Sequence, residues 1–444
     1  MTTPADNPWA ARFAPLLDRN EIVRRATRRP VPLGDISKLT PRCAQKILRS
    51  ALESVYYPTA QSVDILHGWT GLAYQHCLDY YPSKSFYKSR IYSEESPLPE
   101  FSFLYCLTGH AGSGKTELVK TFSRIQEPAS TVQIDPEHSP FPLVSTWNIT
   151  IHANATSKDV LSTLSGGVGS PRDLVKMCRR RAYRDGVAFL LEDEFQFATG
   201  SSSANARVTQ MLLASGYIGL PCAIVANFSL LHRLMKRPAE DRHRLLSNPI
   251  VLLPEHPESE DWCKMLDAQK AAAPNILVFD AKKNGPTIHR YSAGDLRAEV
   301  ALLLCAYEIG RASNGVVGLR EIEAAYHSTE YTAYRRDVEA ITQLSLGDRK
   351  MRKLRPDLWC PLDLPADATA RFATHAREAR QERADDQATR DSLTPEEQTA
   401  LRAKERANKP KKLDKSAQVV HLQKRGHPTA QELQANMAKF RDRL

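Results

Sequence analysis

Eight consecutive residues, Gly109, His110, Ala111, Gly112, Ser113, Gly114, Lys115 and Thr116, have the types and spacing of a phosphate cradle, GxxxxGKT. Glycines let a backbone fold over phosphate with its N–H groups pointing inward. Lys115 can reach β- and γ-phosphates, and the Thr116 hydroxyl can ligate Mg²⁺. The flanks agree with this chemistry. An apolar run over 101–107 predicts a buried strand, and a helical pattern opens at Lys115, whose N-terminus adds partial positive charge.

A second run, 187–191, ends in Glu192, Asp193 and Glu194. An apolar strand followed by Asp-Glu supplies one carboxylate to hold Mg²⁺, Asp193, and one to orient and polarise water, Glu194. The extra acid Glu192 leaves that register open by one. Parallel strands would bring both motifs to one sheet edge. A third strand, 220–226, ends at Asn227, which could sense a γ-phosphate, cap the next helix, or both. Arg237, Arg242 and Arg244 precede a strand at 250–253 and could reach a neighbouring subunit's nucleotide. An arginine supplied in this way raises turnover by about 10³–10⁵; a surface role for each stays open. Arg297 lies one turn into the element opened by Ser292-Ala-Gly-Asp-Leu-Arg297 and could swing back onto bound phosphates.

These groups need a scaffold, and the 444 residues are enough for two or three compact units. The expected division is an N-terminal helical, aromatic-rich extension (1–99), an α/β nucleotide core (100–260), a helical lid (261–362) and a charged, largely disordered tail (363–444). Tyr56, Tyr57, Trp69, Tyr74, Tyr80 and Tyr81 are too many aromatics for a linker, and packing on the core is their expected use. Arg24, Arg25, Arg28 and Arg29 form either a solvated run or a binding arm. A strand is expected at 143–152, a short helix at 156–164 and another over Pro171–Arg184. That last helix carries Arg172, Lys176, Arg179, Arg180, Arg181 and Arg184 against one acid, Asp173. It reads either as a solvated outer helix or as a nucleic-acid contact, because crowded cations repel one another unless an anion is near.

Sixty-one Lys and Arg against 51 Asp and Glu leave a net charge of +10, which favours a polyanionic partner, nucleic acid before membrane. Eight cysteines are scattered without a CxxC pair, so reduced thiols are expected, with neither a zinc site nor a disulfide framework. No secretory layout opens the chain and no run approaches 18 apolar residues, so a cytoplasmic, non-membrane protein is expected.

Taken in order, the cradle, the Asp193-Glu194 pair, Asn227, the arginines before the last strand and Gly294-Asp295-Leu296-Arg297 resemble an AAA+ ATPase of the initiator clade, where GDxR is the sensor-2 signature. The resemblance implies Asn227 as sensor 1 and Arg244, then Arg242, as the finger. A narrower resemblance is to the TnsC/TniB transposition regulators. It rests on ANFSLLHRL and KRPAEDRHRLLSNPIVLLPE (226–255), AYHSTEYTAYRRDVEAI (325–341) and RPDLWCPL (355–362), and spans about residues 100–362. Glu192 departs from the family pattern. This resemblance implies ATP and Mg²⁺ as cofactors, ATP-dependent rings or filaments of the chain on double-stranded DNA, and contacts to a transposase and a target-selecting protein. Hydrolysis would then act as a timer. The competing readings are a helicase loader or replication-initiator-like remodeller, and a STAND-type signalling scaffold that binds no DNA.

Overall fold

Five helices precede the first strand: α1 (Pro8–Ala11), α2 (Arg19–Ala26), α3 (Pro41–Ser54), α4 (Ala60–Tyr80) and α5 (Lys84–Ile91). The computed structural model describes residues 7–364 except 129, 153–154, 196–203, 314 and 346, with residues 381, 392, 394 and 397 beyond them; for 204–206 it describes the backbone alone. The chain divides into two units, Met1–Ala379 and Arg380–Leu444. In the second, Thr394 and Glu397 cap each other reciprocally: Thr394 N–H donates to Glu397 Oε2 at 2.9 Å. The expected disorder of 363–444 otherwise lies outside the described residues.

The core alternates strands and helices: β1 (Leu104–Gly109), α6 (Lys115–Ile125), β2 (Ser130–Val132), β3 (Phe141–Leu143), β4 (Thr146–Thr150), α7 (Ser157–Ser165), α8 (Pro171–Arg184), β5 (Phe189–Asp193), α9 (Ala204–Gly216), β6 (Cys222–Asn227), α10 (Phe228–Leu234), α11 (Ala239–Leu245) and β7 (Asn248–Leu252). Five strands form a parallel sheet in the order β4-β5-β6-β1-β7, while β2 and β3 make a separate antiparallel pair. A parallel sheet is covered on both faces, so its strands read as apolar runs. Phe189, Leu190 and Leu191 are fully buried, as are Cys222, Ala223 and Ile224. Local signals set the helices. Thr156 and Asp159 form a capping box for α7, and Ser170 caps α8 with Pro171 at its first position. Leu174, Cys178 and Ala182, four residues apart, form the buried face of α8.

Six more helices follow: α12 (Glu260–Ala272), α13 (Ala281–Ser292), α14 (Leu296–Arg311), α15 (Leu319–His327), α16 (Thr332–Ser345) and α17 (Arg349–Leu354). The architecture is therefore α/β, an AAA+-type P-loop core with a parallel sheet, followed by a helical lid and preceded by a mostly helical extension. That extension is shared between the two layers. Trp9, Phe13, Ile22, Leu66 and Trp69 join the cluster around the sheet. Trp69 meets Phe122 of α6 edge-on at 5.4 Å and tilts against Phe189 of β5 at 5.9 Å. Ala44, Leu48 and Leu52 of α3 instead join the lid cluster with Leu266, Leu302 and Tyr307. The chain thus passes from lid to core between α3 and α4. Among the described residues, no helix is long and apolar enough to cross a membrane.

Two acids are buried in these layers. Glu192 points away from Asp193, as alternation along a strand requires. Its Oε1 accepts from Ser215 Oγ at 2.7 Å, and burial pushes its carboxyl up to about 7. Glu299 of α14 accepts from Gln269 Nε2 at 2.8 Å, and burial pushes it up to about 8. An acid whose folded pKa is raised binds more protons folded than unfolded, so the stability it permits is complete below about 4.5 and declines as pH rises toward 7 and 8. Thermal melts from pH 5 to 8.5 should show a falling stability, on the order of 2–4 kcal/mol for the pair. Glu192→Gln and Glu299→Gln should each flatten the slope; an unchanged slope in both would contradict the assignment.

Candidate functional site

The sheet register brings the expected groups to one edge. Gly109 ends β1 opposite Asn227 of β6 and Leu252 of β7, and Asp193 ends β5. Gly109 must be glycine on steric grounds, because the Leu252 carbonyl occupies the place of a Cβ. Gly112 and Gly114 each have φ of +91°, the left-handed region that glycine enters without strain. Lys115 starts α6, and its buried ammonium is turned back into the loop. Its Nζ donates to Gly109 O at 3.1 Å, to His110 O, and to Ser113 Oγ at 3.4 Å. Burial pushes Lys115 down to about 8, against the attraction of Asp295, Asp193 and Glu194. The loop therefore holds a poorly hydrated cation at a helix N-terminus, an electrostatic setting for an anion. Ala111 is exposed at the loop tip. His110 is a packing residue: its buried ring meets Phe228 of α10 edge-on at 5.1 Å, and burial pushes it down to about 4, so it is neutral.

The acid register is Asp193-Glu194, since Glu192 faces α9. Asp193 Oδ1 accepts the Glu194 N–H at 2.7 Å, and Glu194 has φ of +65°, an uncommon value for a residue with a Cβ. Such strain concentrates at functional sites and costs on the order of 1–3 kcal/mol. Asp193 and Thr116 line one open cleft of about 450 Å³ with Asn148 and Thr150 of the edge strand. A hydroxyl and a carboxylate are hard oxygen donors suited to Mg²⁺. Among the described residues no group of three or more His, Cys, Asp or Glu could hold a metal, so the remaining ligands would have to be phosphate and water oxygens. Asn227 occupies the N-cap position of α10 but makes no side-chain capping bond. Of the two roles open to it, capping is not used here.

Each residue of Gly294-Asp295-Leu296-Arg297 has a distinct contact. Ala293 and Gly294, with φ of +53° and +67°, reverse the chain between α13 and α14. Gly294 has no space for a Cβ beside His289 and Pro254. Asp295 caps α14 by accepting from the Ala298 N–H at 2.8 Å, and its carboxylate fills the space where a Cβ of residue 112 would lie. Burial raises Asp295 to about 6. Leu296 Cδ1 lies 3.3 Å from where Gly114 would carry a Cβ. Arg297 is exposed and lines the cavity beside the loop.

That cavity, about 550 Å³, has walls from four parts of the chain. Ser113 and Gly114 mark its phosphate end; Val55, Tyr56, Tyr57, Leu252, Pro254, Met265, Leu296 and Val300 supply apolar and aromatic surface. Arg28 also lines it and is paired with Glu117 of α6 at 2.5 Å. The Arg28 and Tyr56 backbones are bridged, which fixes the two N-terminal stretches against each other. None of these cavity residues carries a motif. The Tyr56-Tyr57-Pro58 break between two helices is the one local sign of them.

The other candidates lie elsewhere. Asn248 at the start of β7 is opposite Tyr105, four residues before Gly109, or about 13 Å along the strand. Arg242 and Arg244 come just before it, with Arg244 Cζ 5.7 Å from the Phe101 ring centroid. They are thus at the far end of the sheet from their own chain's cradle. Arg237 pairs with Asp241 at 2.9 Å. On α8 the crowding of cations is relieved internally. Arg179 donates to Pro99 O at 2.6 Å and Tyr217 O at 3.1 Å; Arg180 donates to Glu94 O at 2.7 Å. Arg181 donates to Leu164 O at 3.0 Å, and Arg184 pairs with Asp185 at 2.8 Å. Four of the five residues singled out there for DNA thus hold neighbouring segments in place, so self-repulsion no longer calls for an outside anion. Lys176 is exposed.

No protein-family model and no curated protein matches the sequence. Solved structures with a similar chain path include the Aeropyrum pernix ORC1 protein in complex with DNA, at 13 % identity and a TM-score of 0.37, over 82 % of this chain and 87 % of that one. Drosophila ORC bound to DNA is similar at 14 % identity and a TM-score of 0.38, over 80 % and 90 %. Cdc6p from Pyrobaculum aerophilum is similar at 13 % identity and a TM-score of 0.39, over 74 % and 84 %.

Proposed function

We propose that this chain is an ATP-hydrolysing, DNA-binding oligomeric switch that regulates transposition, linking a target-selecting protein to a transposase. The observation that carries the nucleotide part is the convergence of Lys115, Asp193, Glu194, Asn227 and Arg297 around one loop that opens into a nucleoside-sized cavity. In this reading Gly109 to Thr116 cradle the β- and γ-phosphates by backbone N–H groups, and Lys115 exchanges its carbonyl partners for phosphate oxygens. Thr116 and Asp193 hold Mg²⁺, which neutralises charge on the phosphates when bound. Glu194 orients a water and takes its proton as the water oxygen attacks the γ-phosphorus; the bond to the β,γ-bridging oxygen breaks and ADP leaves. Asn227 positions the γ-phosphate. Arg297 reports its presence to the lid. Arg244, or Arg242, completes the site of an adjoining subunit, which suits its distance from its own cradle.

DNA contact rests on the net positive charge and on the initiator-type motif set. With α8 largely committed to its own neighbours, Lys176 is left as its most available cation, and phosphate tracking without base readout is the expected mode. The transposition role rests on the stretches at 226–255, 325–341 and 355–362. A replication-initiator or helicase-loading role uses the same site residues. Capture of transposase rather than replicative helicase from a defined mixture separates the two, and DNA-filled rings or filaments in micrographs with a slowly hydrolysed ATP analogue would favour transposition.

Lys115→Ala should weaken ATP binding roughly 30-fold or more, measured by titration calorimetry, since it removes the charged partner of the phosphates. Retained affinity would remove the cradle assignment. Glu194→Gln should bind ATP normally, hydrolyse it at least about 100-fold more slowly, and remain on duplex DNA longer in a dissociation experiment; rapid release would sink the timer. Wild-type DNA binding should require ATP and fall steeply between 50 and 200 mM salt, by about 10³ or more if six phosphates are contacted.

A further inference from the structure

The lid end of the nucleoside cavity is walled by Leu52, Trp262, Met265, Leu296 and Val300, with one buried amide among them, Gln269. Gln269 is 5 % exposed. Its Nε2 donates to Glu299 Oε2 at 2.8 Å, and its Oε1 has no hydrogen-bond partner among the described residues. A buried amide oxygen left in this way costs about 1–3 kcal/mol, so it marks either a defect or a place kept for a donor. Its position in a ligand-sized cavity favours the second. The cavity's other polar side chains are differently committed. Arg49 pairs with Glu53 at 3.4 Å, and Tyr57 OH donates to Asp261 at 3.2 Å. Arg28 is anchored on Glu117, and its spare Nε is a donor, which cannot receive an amine.

We propose that Gln269 selects the nucleobase by accepting a hydrogen bond at Oε1 from the exocyclic amine of an adenine ring held between α12, α14 and α3. Glu299 is the positioning residue behind it. Burial keeps that carboxyl neutral at physiological pH, so its hydroxyl oxygen and its carbonyl oxygen are distinct. With the carbonyl oxygen receiving Gln269 Nε2–H, the amide oxygen is left to face the cavity. The phosphate end of the same cavity, at Ser113 and Gly114, fixes the direction in which the nucleotide enters. The apolar surface from Met265 to Val300 gives the ring its burial, which does not discriminate between purines. Gln269 then supplies the discrimination. This inference rests on the ATP reading of the site.

The test is the affinity of the full-length protein for ATP, inosine triphosphate, purine riboside triphosphate and N6,N6-dimethyl-ATP. The last three lack an N–H at the purine 6-position. Wild type should bind ATP about 5- to 20-fold more tightly than each of them, the effect of one buried hydrogen bond. Gln269→Met keeps length and apolar fit and should bring ATP down to their level, with inosine triphosphate affinity unchanged within about 2-fold. Equal wild-type affinities, a preference for inosine triphosphate, or discrimination that survives Gln269→Met would each overturn the role of Gln269 while leaving the ATP site intact. The wild-type series reads the contact without any variant, so a Gln269→Met protein that fails to fold does not decide the matter. Absence of all nucleotide binding by wild type would overturn the ATP reading and this inference together.

Discussion

A buried ammonium governs the organisation of this protein. Lys115 is held inside a tight loop at the start of a helix, where its own backbone carbonyls are its nearest partners. Moving a cation out of water is costly, and carbonyl dipoles offset that cost in part. Much of the surrounding architecture supplies the balance. Asp193 and Asp295 lie close enough to attract the charge, one from the end of a strand and the other from the lid. The sheet order places the first acid there, and the reversed turn at Ala293 and Gly294 places the second.

The lid contact is as specific as the loop itself. Asp295 both caps α14 and fills the space over Gly112, and Leu296 presses on Gly114. A side chain at either glycine would have to displace the lid as well as adopt a left-handed backbone. The glycines therefore answer to two constraints at once, one from the phosphate cradle and one from the helix packed upon it. For this reason the four residues 294–297 act as a single geometric unit, although their side chains do four different things.

How much of this is legible in the sequence follows from how local each signal is. The cradle, the strand ending in Asp193 and the bounds of α8 are legible because glycine spacing, apolar runs and a Ser-Pro start are properties of neighbouring residues. The cavity is not legible, since residues 28, 55–57, 252–254, 262, 265 and 269 meet only when the extension wraps the core and the lid closes over it. The arginines of α8 are misleading in sequence for a related reason. Their acceptors are backbone carbonyls at 94, 99, 164 and 217, and a carbonyl leaves no trace in residue identity. Glu192 is ambiguous in sequence and plain in the structure, because strand alternation and Ser215 decide which face each acid takes.

One consequence follows from the split allegiance of the N-terminal extension. Helix α3 packs with the lid and α4 with the sheet, while the residues joining them form part of the cavity wall. The cavity is bounded by two layers joined by a short tether at 55–59, much like the jaws of a caliper and its slide. Any rotation of the lid carries α3 with it and changes the gap that the tether spans. A ring seated in that gap would set the opening angle, and the angle would be readable from outside by whatever grips the lid.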